Sequence, residues 1–220
     1  MRVTNWLRNI LSALAASGLV GLDSSGAHAG PVIVLSGDGQ ASNEAVPSNH
    51  GSTAEVALTW SDNWDSYQNW PNDPGNGVYQ HELATGTPVA ATQTILFTPI
   101  ASAYVTLNGF DANDWVGGPG GPSNTPNTVF NWSVLNGAGG TVLASATGLT
   151  VPDGTVLPIA INFVGAVGQA LELNITQIDG SGSYFAIDNL AFSSTAVPEP
   201  GSLAVVGFGL GAMAMRRKRK

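Results

Sequence analysis

No cysteine occurs anywhere in the 220 residues. That removes disulfides, thiolate zinc sites, iron–sulfur clusters and cysteine nucleophiles together. Basic residues are missing from the middle of the chain: all seven Lys and Arg are Arg2, Arg8 and the last five residues. Between 30 and 197 the only basic side chains are His50 and His81. Thirteen carboxylates face them: Asp38, Glu44, Glu55, Asp62, Asp65, Asp73, Glu82, Asp111, Asp114, Asp153, Glu172, Asp179 and Asp188. The formal charge of that region is −13, steeper than the −8 of the whole chain. Lys or Arg ion pairs are impossible inside it. With no such cation to neutralise phosphates, nucleic-acid binding is excluded, and so is simple attraction to anionic lipid. Charge compensation is left to divalent cations, low local pH or salt screening.

Catalytic patterns are also lacking. No Gly-x-Ser-x-Gly elbow occurs, His81-Glu82 has no second His at zincin spacing, and Gly37-Asp38-Gly39 opens no dinucleotide fingerprint. Two histidines and no Lys or Arg leave few general bases and oxyanion-stabilising groups. A glycosidase needs only two carboxylates, so that chemistry stays open as an alternative. The expectation is a protein that is not an enzyme.

What the chain has instead is turn chemistry: 28 Gly and 13 Pro, with many Asn, Ser and Thr. Between the turns lie short runs of strand character. Val32–Leu35 reads as a short buried strand. Thr53–Trp60 alternates with Val56, Leu58 and Trp60 on one face, and Thr128–Leu135 does so with Phe130, Trp132 and Val134. In Ala170–Ile178, Leu171, Leu173 and Ile175 point inward; Asn136–Gly140 is a hairpin connection. Gln93–Phe97, Ala103–Leu107, Thr141–Ala144, Thr155–Val164 and Ser183–Phe192 complete about nine strands, with Asp188-Asn189 breaking the last alternation as a bulge does. No amphipathic helix appears. The fold expected is all-β, a single β-sandwich of jelly-roll type.

Two stretches read as long loops, residues 61–77 and 108–127. The first has no aliphatic residue before Gly77, and sets Trp64, Tyr67 and Trp70 among Asp and Asn. Long loops in compact domains are often functional. Trp64, Tyr67, Trp70 and Trp115 are therefore the candidate sugar-stacking rings, with Trp60 and Trp132 assigned to the core. On that reading Trp64→Ala and Trp70→Ala leave stability nearly unchanged. For calcium, which takes six to eight oxygens, the candidates are Asp62, Asp65 and Asp73 in the first loop, or Asp188 with an N-terminal acid such as Glu44.

The ends are addressing segments. Arg2 and Arg8, the apolar Ile10–Leu22 and Ala27-His28-Ala29 make residues 1–29 a signal peptide with Gly30 the mature N-terminus. The domain occupies 30–196. Residues 197–220 begin with the stiff, extended Val197-Pro198-Glu199-Pro200. Fifteen uncharged residues, Gly201–Met215, follow, then Arg216, Arg217, Lys218, Arg219 and Lys220. A helix of that length reaches roughly 22 Å, marginal for a hydrocarbon core of about 30 Å, and the basic block holds its end on the cytoplasmic side.

This tail resembles the PEP-CTERM sorting signal. The resemblance implies a Gram-negative export substrate, cut near Pro-Glu-Pro by an exosortase in the inner membrane and delivered to the cell surface or an exopolysaccharide matrix. The stretch Phe185–Phe192 is similar to the final strand of jelly-roll carbohydrate-binding modules, which implies a structural calcium near Asp188. The function expected is a non-catalytic surface or matrix protein contacting polysaccharide. A purely structural matrix component and a secreted glycan-active hydrolase are the alternatives.

Overall fold

The computed structural model describes residues 30–38, 41, 44–62, 64–68, 77–81, 92–100, 102–115, 127–152, 154–179 and 184–197. Twelve strands occur among them: β1 (Val32–Leu35), β2 (Glu44–Ala45), β3 (Val56–Trp60), β4 (Trp64–Gln68), β5 (Gly77–His81), β6 (Thr92–Pro99), β7 (Ala103–Trp115), β8 (Thr128–Asn136), β9 (Val142–Val151), β10 (Val156–Val164), β11 (Leu171–Asp179) and β12 (Tyr184–Ala196). Every pairing is antiparallel. One sheet runs β3-β6-β11-β8-β9; the other runs β10-β7-β12-β5-β4-β2, with β1 also on β12. The all-β sandwich expected from the sequence is the fold.

The core lies between the sheets and is built from alternate residues. Val56, Leu58 and Trp60 of β3 meet Ile95 and Phe97 of β6 and Leu171, Leu173 and Ile175 of β11. Phe130 and Val134 of β8 face Phe110 of β7 and Phe185, Ile187, Leu190 and Phe192 of β12. Phe97 packs edge-on to Phe192 at 5.3 Å, and Phe130 lies 5.0 Å from Phe185. Strand β1 departs from its expected buried state. It lies on an outer edge of β12, with Val32 and Val34 more than half exposed.

Both expected loops contain strand. Trp64–Gln68 and Gly77–His81 form a hairpin pair, and β7 runs on past Leu107 to Trp115. Period-2 alternation was present in Trp64-Asp65-Ser66-Tyr67, but polar residues carried it and aliphatic patterning could not reveal it. The bulge expected at Asp188-Asn189 is present: Asp188 pairs with Asp111 and Ala191 with Gly109, leaving an extra residue on β12. A second bulge sits on β10 between Ala160 and Phe163. Asn189 and Asn162 take positive φ at these points, 49° and 51°, a region asparagine tolerates better than most residues. Gly109 pairs with Ala191 on one side and Ala160 on the other, where a Cβ would strike the Ile159 carbonyl. The sheet therefore bends along one line through three strands.

Candidate functional site

The fold separates several of the residues that the sequence brings together. Trp64, assigned to an exposed loop, is a core residue at 1% exposure. Its ring meets Trp60 edge-on at 5.4 Å, and its indole N–H donates to the Thr94 carbonyl at 3.2 Å. With both its apolar face and its polar tip satisfied inside, it is no sugar platform. Tyr67, one residue out of phase with Trp64 and Ser66, lies on the opposite face of the sheet. It is half-buried against Val78 and Ala186, in a cluster separate from the main core. Trp115 ends β7, paired with Tyr184. Trp70 lies outside the described residues, as do Asp73, Pro198–Pro200 and Arg216–Lys220.

The acids are likewise dispersed. Asp62 is exposed in the turn before β4. Glu44 pairs with Ser66 and Asp65 with Ala45, so these two sit on adjacent strands at one sheet edge. Asp188 lies on β12, with β4 and β5 between it and β2. Glu44 is therefore not its N-terminal partner. Among the described residues no three His, Asp or Glu side chains gather to hold a metal ion.

The acid that does join Asp188 is Asp38, which sequence reasoning passed over. The chain after β1 crosses the β5–β12 boundary so closely that a Cβ on Gly37 would strike the Gly77–Val78 backbone. There the Gly37 N–H donates to Asp188 Oδ1 at 3.3 Å, and the Gly77 N–H donates to Asp38 Oδ1 at 2.6 Å. Both carboxylates act on the Tyr79 phenol, whose pKa is raised first by burial and then by Asp188 and Asp38.

Tyr79 links this pair to His50. Its O–H donates to the Ser36 carbonyl at 2.6 Å, and His50 Nε2 lies 2.6 Å from the Tyr79 hydroxyl oxygen. With the phenolic hydrogen spent on Ser36, His50 Nε2 is the donor, which fixes the neutral Nε2–H tautomer. The His50 carbonyl in turn accepts the Trp60 indole N–H at 2.8 Å. Burial lowers the His50 pKa. The unfolded chain takes up this proton as pH falls through about 6.5, while the folded form resists it. Stability is thus full above that pH and declines below it, until the folded imidazole also protonates. Urea midpoints measured between pH 7 and 5 should fall more steeply for the native protein than for His50→Gln; parallel profiles would remove His50 as the cause.

Register assembles a different face. On the outer side of the larger sheet, Asp65 and Ala186 both pair with Gln80, and Ala186 pairs with Asn113. Beside that row run Tyr67, paired with Val78, and Asp111, paired with Asp188. The Asn189 amide donates to Asp111 Oδ2 at 2.9 Å. Asn113 is 1% exposed, and neither of its amide atoms finds a hydrogen-bond partner among the described residues. A buried amide left so is costly unless water or a ligand supplies partners. Val78, Ala186 and Asn113 of this face are buried, while Asp65, Tyr67 and Asp111 are partly exposed and Asn189 is exposed: a ring, carboxylates and an amide, the groups that stack on sugar rings and bond their hydroxyls.

Residues 196–220 match the PEP-CTERM protein-sorting motif. A comparison of the whole sequence with curated proteins found no match. Among solved structures, the chain is similar to a cyclase from Fischerella sp. TAU, at 19% identity over 76% of this chain and 86% of that one, with a TM-score of 0.40. It is similar to the CBM22-1 xylan-binding domain of Paenibacillus barcinonensis Xyn10C at 12% identity, 77% and 98% coverage and a TM-score of 0.39. It also resembles the K1 cleaved adhesin domain of Lys-gingipain from Porphyromonas gingivalis W83, at 13% identity, 77% and 100% coverage and a TM-score of 0.38.

Proposed function

We propose that this chain is exported by a Gram-negative bacterium, cut near Pro198-Glu199-Pro200 by an exosortase-type enzyme, and delivered to the cell surface or extracellular matrix as a non-catalytic protein that contacts polysaccharide. The observation that carries the reading is the sorting motif, which starts at Ala196, the last residue of β12. Polysaccharide contact is supported by the groups of the outer face that reach solvent, Tyr67, Asp65, Asp111 and Asn189. With no Lys or Arg between 30 and 197, that face suits neutral, hydroxyl-rich sugars and repels polyanions. Calcium enters the proposal as a structural ion beside Asp38 and Asp188, which supply two carboxylates; backbone carbonyls or water would complete its shell.

Affinity electrophoresis of the processed protein through gels holding xylan, galactan or glucan tests this, with calcium or chelator present. Retardation by at least one of these is expected, and Tyr67→Ala should weaken it about tenfold, or about 1.4 kcal/mol. Chelator should reduce it and lower the unfolding midpoint, because an ion bound only to the folded state stabilises it. Free migration in every gel would leave a structural matrix component; an unmoved midpoint would remove calcium.

A further inference from the structure

Five strands stand at open edges of the two sheets, and four of them are blunted. Strand β2 is two residues long and begins with Glu44. Strand β1 has four residues and follows Pro31. Strand β10 carries Pro158 and the bulge between Ala160 and Phe163. The edge of β3 is covered by the turn before it. There the Trp60 N–H donates to the Ser48 carbonyl at 2.9 Å, the Thr53 N–H to the Val56 carbonyl at 2.8 Å, and the Leu58 N–H to Ser52 Oγ at 2.9 Å. Short length, charge, proline, bulges and cover are the devices that keep a sheet edge from recruiting other strands.

Strand β9 has no proline, no charge and no cover. It is ten residues long, and among the described residues its hydrogen bonds run to β8 alone. Val142, Leu143, Ser145 and Thr147 are exposed along it. Its register shifts fall at Leu143 and at Thr147–Gly148, which leaves Ala144–Ala146 as the regular stretch between them. The inward side chains at this end of the sandwich are only partly buried: Ala144, Ala146 and Leu149 of β9, and Leu157, Ile159 and Phe163 of β10. Charge is sparse here too. Between Trp115 and Leu171 the one charged residue is Asp153, in a domain whose formal charge is −13.

We propose that this edge joins a second copy of the chain, β9 against β9 in antiparallel pairing across a two-fold axis near Ser145. An open strand edge asks its occupant for main-chain N–H and C=O groups in ladder order, which another strand supplies and a lipid surface does not. The occupant must also tolerate the field of a strongly acidic body. Two copies repel wherever their acids meet, and on this side they touch without setting carboxylates together. Antiparallel pairing makes one strand its own complement, as a closed two-fold interface requires. It joins the two smaller sheets into one continuous sheet and covers the partly buried apolar side chains with their own image. The inference goes beyond the sugar reading above and stands without it.

Sedimentation velocity of the purified protein tests the pairing. A dimer should form between about 1 and 100 μM, and it should tighten as salt rises from about 0.05 to 0.5 M, because screening weakens the repulsion between two acidic bodies. Ser145→Lys sets two like charges face to face at the axis and should weaken the dimer about tenfold. Thr59→Lys makes the same charge change on the covered β3 edge and should leave it unaltered. Both positions are exposed, so equal urea midpoints should verify that both variants fold. In a chain without cysteine, Ser145→Cys should give a disulfide-linked pair under mild oxidation, and Thr59→Cys should not. A protein that stays monomeric through about 100 μM at both salts would overturn the proposal, as would equal dimerisation of the two Lys variants. A monomer that floats with neutral phosphatidylcholine vesicles would give this face to lipid and overturn it as well.

Discussion

Trp64→Ala should cost about 3–5 kcal/mol of folding stability, the range for emptying a buried large aromatic site. The ring is enclosed by Trp60 and the inward residues of the two sheets, and its indole N–H is spent on the Thr94 carbonyl. Truncation leaves a cavity at the point where His50, Trp60 and Tyr79 also meet, with ring centroids 4.8–5.9 Å apart. Against a total stability of about 5–15 kcal/mol, the loss puts the protein close to unfolding at ordinary temperature. Urea titration of the purified mature protein, followed by intrinsic fluorescence, should show a large fall in midpoint at an unchanged slope. Trp64→Phe should keep much of the packing and lose only the Thr94 bond, so its deficit should be smaller. A Trp64→Ala protein within about 0.5 kcal/mol of the parent, as ordinary surface substitutions are, would put the ring back on the surface.

The second large effect concerns delivery rather than stability. Replacing Pro198, Glu199 and Pro200 together with alanine should leave the chain uncut at the inner membrane. Among the described residues the Val197 N–H still bonds to Ser102, and Pro198, which follows, has no N–H with which to extend that ladder. Prolines at 198 and 200 also bar helix just ahead of the apolar run. Three alanines remove both stops, so strand or helix can spread across the cleavage region and the motif presented to the enzyme is lost. Fractionation and immunoblotting should find nearly all the variant as full-length protein in the inner membrane. Normal surface delivery would sink the sorting assignment.

Residue by residue, the sequence revealed the parts of the fold where aliphatic side chains carry the alternation. Leu171-Glu172-Leu173-Asn174-Ile175 declares its inward face, and so does Phe130-Asn131-Trp132-Ser133-Val134. It concealed strands whose inward positions are filled otherwise. In β4 these are Trp64 and Ser66, the latter buried because its hydroxyl bonds the Ala41 carbonyl at 2.5 Å. In β9, expected to stop near Ala144, the continuation Ser145-Ala146-Thr147-Gly148 is too small and polar to signal a strand, yet it pairs with β8 as far as Val151. Of the site, Asp188 was legible because a carboxylate breaks an otherwise apolar strand. Its partner was not. Whether Glu44 or Asp38 reaches it depends on how β1, β2, β4 and β5 are laid beside β12, and strand order across a sheet is not written in local pattern. The His50–Tyr79–Ser36 chain was hidden for the same reason, since its members come from three separate segments.

The position of β12 bears on when the domain can fold. This strand pairs with β7 on one side and with β1 and β5 end to end on the other, so the larger sheet has no centre without it. Its partners in β1 were synthesised about 160 residues earlier, and contacts of such sequence separation form slowly because a long loop must close first. During secretion, everything up to Phe163 or Leu173 can emerge and still lack a finished core. Completion waits until Ala196 has crossed, when the next stretch to enter the channel is the apolar tail. On the sorting route proposed above, the polypeptide therefore reaches its native state only as its tail arrives at the membrane, before the tail is removed.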